Sequence, residues 1–273
     1  MFKNMAGRVI VVTSGKGGVG KTTTTANIGT ALARNGFKVA VVDTDIGLRN
    51  LDILMGLENR IVYNIIDVIE EKCKLHQALV KDKKLPNLVL LPAAQTRDKS
   101  ALKIEGMGQI IQKLKEDFDY VIIDSPAGIE QGFQNAIHKA EEAVIVTTPE
   151  MSAVRDADRI IGLLEAKEDP ITYRLLVNRL RPGMVQTNDM MGVDDVLDIL
   201  SIKLLGVIPE DKDIIISTNK GDPVVNEEDS LAGKAYRNVA RRLAGEDIPL
   251  LNLETPTTWF DKVKKLFVPA VNA

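Results

Sequence analysis

RVIVVTSGKGGVGKTT, residues 8–23, decides the fold. The run from Val9 to Val12 is apolar and β-branched, which predicts a short buried strand. Glycines at 15, 17, 18 and 20 then predict a tight loop, and the pattern from Thr22 to Asn35, closed by Gly36, predicts a helix. The loop has the spacing G-x-x-x-x-G-K-[ST] between a strand and a helix, so its backbone N–H groups converge on phosphate oxygens at a helix N-terminus. Lys21 would place its charge on the β- and γ-phosphates and the Thr22 hydroxyl would ligate Mg²⁺. The expected nucleotide contacts are Gly15, Lys16, Gly17, Gly18, Val19, Gly20, Lys21, Thr22 and Thr23, with ATP and Mg²⁺ as cofactors. Lys16 stands apart: with Lys21 on the chain's own phosphates, a lysine inside the loop is free to reach those of another subunit.

Further apolar runs follow at 38–43, 87–93, 119–124, 141–148, 172–178 and 202–209, separated by helical patterns such as 152–167 and 231–243. They do not alternate, as expected of parallel strands covered on both faces. The fold class is α/β: a doubly wound, largely parallel sheet of about seven to eight strands flanked by helices. Residues 1–248 form the ATPase domain, 249–258 (PLLNLETPTT, roughly) a linker, and 259–273 a tail.

Carboxylates cluster where these strands end, on the edge where ligands of open α/β sheets bind. KVAVVDTD ends in Asp43 and Asp45, a pair suited to a metal and a water, and DYVIID delivers Asp124 in Walker B form as a second carboxylate on the Mg²⁺ side. Gly128 would offer a backbone N–H to the γ-phosphate. Asn178, Pro209, Glu210 and Asp211 also fall on this edge, where an asparagine amide matches the donor and acceptor pattern of adenine.

The K-G-G-x-G-K-[ST] form of the loop resembles the deviant Walker A ATPases, the ParA/MinD family. DTDIGLRNLDILMGLENRIVYN (43–64), DSPAGIE, VRDADRI, GVIPED and GKAY resemble its Min-system branch, from Arg8 to about Gly245. The resemblance implies an ATPase that closes as a nucleotide-sandwich homodimer, with Lys16 crossing between subunits and the catalytic set Lys16, Lys21 and Asp45. It implies that Asp43 binds a Mg²⁺-coordinated water beside Thr22 and Asp124, and that Asp45 positions the attacking water. It also implies MinC and MinE homologues as partners in division-septum placement, with Arg49, Asn50, Leu51, Asp52, Arg155, Asp156 and Asp158 on partner surfaces.

The tail adds an observation of its own. In TWFDKVKKLFVPA, 100° per residue gathers Trp259, Phe260, Val263, Leu266 and Phe267 on one side, with Lys262, Lys264 and Lys265 among the remainder. This reads as a membrane-targeting amphipathic helix for anionic lipid, too short to span a bilayer. One weak anchor binds reversibly and two on a dimer bind with raised effective affinity, which couples nucleotide state to membrane residence.

Composition excludes several classes. A formal charge of −3, of which the tail contributes +2, gives no general basis for specific nucleic-acid binding. A ParA-type DNA or cargo partition ATPase is the alternative reading, and a scaffold that binds ATP without cleaving it is a third. Cys73 is the sole cysteine, which excludes a disulfide and an iron–sulfur bridge of the nitrogenase kind. His76 and His138 lack metal-ligand spacing. With a strand starting almost at once and no apolar run of ~18 residues, the expected place is the cytoplasm and the cytoplasmic face of the membrane, or the plastid equivalent.

Overall fold

The computed structural model describes residues 7–96 and 102–253. Its strands are β1 (Arg8–Thr13), β2 (Val39–Asp43), β3 (Val80–Lys81), β4 (Leu88–Leu91), β5 (Tyr120–Asp124), β6 (Glu142–Thr147), β7 (Thr172–Leu180) and β8 (Leu204–Pro209). Helices α1 (Lys21–Arg34), α2 (Leu51–Leu54), α3 (Ile65–Ile69), α4 (Leu75–Ala78), α5 (Ile104–Asp117) and α6 (Gln131–Ile137) lie in the first half of the chain. They are followed by α7 (Met151–Glu165), α8 (Pro182–Gln186), α9 (Val193–Leu200), α10 (Lys212–Lys220) and α11 (Leu231–Leu243).

The strands form one eight-stranded sheet in the order β3-β4-β2-β5-β1-β6-β7-β8. Every pairing is parallel except β3 with β4. From β1 the chain passes to β2 on one side, and after β5 it continues to β6 on the other. The order therefore reverses around β1, and a crevice opens beyond its carboxyl end.

The interiors of the central strands are apolar because both faces of the sheet are covered. Val9, Val11, Ala40, Val42, Val121 and Ile123 enter a core with α5, α6, α7 and α9. Ile10, Val12, Val39, Val41, Tyr120 and Ile122 enter a second core with α1, α2 and α11. Register sets the carboxylates at the crevice: Val12 pairs with Asp124, and Asp124 in turn with Asp43.

Two features depart from the expected layout. β3 is only two residues long and antiparallel, a small edge that no apolar run announces. α10 starts after the end of β8, and Gly221, at its C-terminus, lies against Gly56 just beyond α2. It therefore lies along the carboxyl edge rather than returning across the sheet as a crossover. Among the described residues no helix is long and apolar enough to cross a membrane. The tail, and the linker beyond Leu253, lie outside the described residues.

Candidate nucleotide site

Strand β1 delivers Ser14 to the mouth of the crevice, and Gly18 and Gly20 turn the loop with φ +80° and +99°. α1 then begins with no side-chain cap and no acidic residue in its first turn, leaving its N–H groups and dipole open to an anion. Close packing holds the loop from two sides. A Cβ on Gly15 would stand 2.2 Å from the carbonyl oxygen of Asp156 on α7, and one on Gly20 would stand 2.3 Å from Asn178 Nδ2.

Lys21 is buried, and its Nζ donates to Ser14 Oγ at 3.0 Å, while Ser14 Oγ donates to the Lys16 carbonyl at 2.7 Å. Burial lowers the Lys21 pKa, opposed by the charges of Asp124 and Asp45. Lys16 leaves the loop in the other direction. Its half-exposed side chain donates to Ser152 Oγ at 3.0 Å and lies 4.0 Å from the Glu150 carboxylate, both at the start of α7.

Asp43 and Asp124 are both 1% exposed. Asp43 accepts from the Asp45 N–H at 2.9 Å and the Leu51 N–H at 3.3 Å. Burial, with the charge of Asp124, raises its pKa well above the carboxylate range. Asp124 accepts from Thr25 Oγ1 at 3.1 Å and from the Thr22 hydroxyl. Burial pushes it up to about 7 against those hydrogen bonds and the charge of Lys21. Two carboxylates so placed lack a cation equal to them, and the donors are all hard oxygen. Among the described residues no three His, Cys, Asp or Glu side chains converge to hold a metal alone. This donor set suits Mg²⁺, which takes one or two protein oxygens and completes its shell with phosphates and water.

The remaining expected residues fare unequally. Gly128 has φ +89° and open space where a Cβ would stand. Asn178 is buried, and its amide donates to the Val19 carbonyl at 2.7 Å, while Oδ1 has no partner. The amide NH₂ therefore braces the phosphate loop, while the amide oxygen stays unengaged. Asp211 caps α10 and receives Ser230 Oγ at 2.8 Å and the Ala232 N–H at 3.1 Å, so its carboxylate is already engaged. Glu210 forms an ion pair with Arg181. Beside Glu210, a cavity of about 500 Å³ is lined by Met151, Met184, Met190 and Met191, together with Arg179 and Arg181. Thr25 and Ser14 were not expected at the site from sequence, though the hydroxyl-rich run TTTT at 22–25 was the available signal.

Among the expected partner residues, Arg155 and Asp158 are exposed on α7 and Asn50 is exposed in the loop before α2. Leu51 and Asp52 are buried, Leu51 in the α1 core and Asp52 in an ion pair with Arg49 at 2.9 Å, so this surface reading is corrected for both. Trp259, Phe260, Lys262, Val263, Lys264, Lys265, Leu266 and Phe267 lie outside the described residues.

The signature of the CobQ/CobB/MinD/ParA nucleotide binding domain matches residues 10–224. The septum site-determining protein MinD of Synechocystis is 64% identical over 246 residues, 90% of this chain and 92% of that one. In the MinC:MinD cell division complex of Aquifex aeolicus, a chain 50% identical superposes with a TM-score of 0.83, covering 90% of this chain and 98% of that one. A Pyrococcus horikoshii MinD complexed with Mg-ADP, 30% identical, superposes with a TM-score of 0.78 over 86% of this chain and 95% of that one. The chain that folds this open helix N-terminus, its two buried carboxylates and its two loop lysines into one crevice thus belongs to the MinD septum site-determining branch of the CobQ/CobB/MinD/ParA nucleotide-binding family.

Proposed function

We propose that this chain hydrolyses ATP, closes on a second copy across its carboxyl edge while ATP is bound, and so binds the cytoplasmic membrane face reversibly to help place the division septum. The observation that carries the dimer is the apolar rim of the nucleotide crevice. Among the described residues, ten large hydrophobic side chains are exposed, and seven of them follow carboxyl strand ends: Leu48, Ile53, Ile129, Met151, Ile215, Ile216 and Leu231. A rim so apolar around a polar crevice suits burial against another surface. Lys16, on the same edge, would exchange its exposed contacts with Ser152 and Glu150 for the other subunit's phosphates.

Within each site, Lys21 and the loop N–H groups hold the β- and γ-phosphates. Thr22 and Asp124, with Asp43 behind a coordinated water, would hold Mg²⁺, which when bound neutralises phosphate charge. Asp45 orients a water in line with the γ-phosphorus. The new bond forms from that water as the β,γ-bridging bond breaks, giving ADP and phosphate. Such chemistry rests on positioning, so turnover without a stimulating partner would be slow. The domain to residue 248 carries it and the tail from 259 carries the lipid contact. A MinC homologue as partner is supported by the Aquifex complex, and the exposed side of α7 around Arg155 and Asp158 is the surface we assign to it and to a MinE homologue.

The test is pelleting with anionic liposomes: binding in ATP, little in ADP, and none after deletion of residues 257–273. Equal pelleting in both nucleotides contradicts the coupling. Asp45→Ala should retain ATP binding and lose phosphate release, and unchanged release would remove Asp45 from its role.

A further inference from the structure

The segment that carries Asp45 is a closed turn, fastened at both ends by one buried carboxylate. The Asp45 N–H donates to Asp43 Oδ1 at 2.9 Å and the Leu51 N–H to Asp43 Oδ2 at 3.3 Å. Between these ends the N–H groups of Leu48 and Arg49 both donate to the Asp45 carbonyl, each at 3.2 Å. The Gly47 N–H donates to the Ala94 carbonyl, beyond β4, at 2.8 Å. Where Asp45 lies therefore depends on where residues 47–49 lie.

Two residues of this turn have left-handed backbone. Gly47, at φ +95°, adopts it freely, whereas Arg49, at φ +40°, adopts it against the crowding of its own Cβ and backbone. Arg49 therefore needs a partner that holds it in place, and Asp52 is that partner. The Asp52 carboxylate is buried, and Arg49 Nε lies 2.9 Å from its Oδ2. The approach is out of line for a hydrogen bond, so charge joins the two groups. Burial raises the Asp52 pKa, and the charge of Arg49 opposes that rise. Such a pair adds little to stability, because taking both charges out of water offsets their attraction. Its effect is on geometry. Leu51 seats the start of α2 in the core beside α1, so the next residue, Asp52, is a fixed post for the arginine.

We propose that Asp52, acting through Arg49, positions Asp45 for the hydrolytic step. This rests on Asp45 as the group that orients the attacking water. Asp52 is a positioning residue, since it acts on the water only through two others: it fixes Arg49, and the Arg49 N–H fixes the Asp45 carbonyl. Without the pair, Arg49 relaxes toward right-handed backbone and its N–H leaves that carbonyl. The phosphate loop, Lys21 and Asp124 are held by separate contacts, so nucleotide binding is spared.

The test is steady-state phosphate release by the full chain in Mg-ATP, with melting temperature as the check on folding and sedimentation as the check on the dimer. Asp52→Asn and, separately, Arg49→Gln should each lower kcat about tenfold or more, since small misplacements of a reacting group are costly. KM for ATP and the mass in Mg-ATP should stay at wild-type values. Arg49→Lys should keep kcat within about threefold, because an ammonium still supplies the charge. The Arg49 variants leave Asp52 in place and so stand if Asp52→Asn does not fold. Either folded variant, Asp52→Asn or Arg49→Gln, that keeps the wild-type kcat overturns the proposal. A loss that falls on KM or on the dimer also overturns it, as does Arg49→Lys falling as far as Arg49→Gln. Undiminished release by Asp45→Ala removes instead the reading on which the proposal rests.

Discussion

Asp124 and Asp43 face each other across adjacent strands, and their burial has a measurable sign. Asp124 is pushed up to about 7, so the nucleotide-free native state binds its proton more tightly than the unfolded chain does. Its contribution to stability therefore falls as pH rises from the ordinary carboxylate range to about 7, then levels off. Asp124→Asn removes that slope. In thermal melts without nucleotide or metal, the variant should exceed the wild type at pH ~8 by a few kcal/mol, with about 1.4 kcal/mol per pKa unit setting the scale. The gap should close toward pH ~5 as the wild-type carboxyl is protonated. At Gly15 the prediction is steric. Alanine would set its methyl 2.2 Å from the Asp156 backbone carbonyl oxygen, which cannot swing aside as a flexible side chain would, so Gly15→Ala should push the loop off α7. A fluorescent-nucleotide titration should then show affinity weakened about tenfold or more, the equivalent of roughly 1.4 kcal/mol.

Elements were legible in the sequence where pattern and punctuation agreed. The loop and α1 could be read because glycine spacing, strand and helix coincide, and Asp43 and Asp124 because each ends an apolar run. What side chains do inside the crevice was not legible. Asn178 and Asp211 fall on the ligand edge, but only three-dimensional packing sets one against Val19 and spends the other on the start of α11. Leu51 and Asp52 sit in a motif that resembles a partner surface, yet their burial depends on how α2 docks against α1 and how Arg49 folds over Asp52. The same holds for Tyr236, whose hydroxyl meets Thr24 Oγ1 at 3.2 Å and so joins α11 to the phosphate-loop helix across 212 residues of sequence. Burial raises its pKa to about 12, so it stays a neutral partner throughout the working range. Tyr236→Phe leaves Thr24 unpaired in the core and should cost about 1 kcal/mol, a few degrees in melting temperature.

The whole molecule has two distinct ends. One end of the sheet holds the phosphate crevice, its carboxylates and Lys16, while the other receives the end of α11 at Leu243. In the proposed function, ATP changes which surface the carboxyl edge meets. That account requires dimerisation to depend on nucleotide and on Lys16 before any membrane is present. Sedimentation velocity without lipid tests it most directly. In Mg-ATP the wild type should sediment at twice its 29.9 kDa chain mass and in Mg-ADP at the chain mass itself, with Lys16→Ala monomeric in both. A wild type that stays monomeric in Mg-ATP, or a Lys16→Ala variant that dimerises equally well, would contradict it.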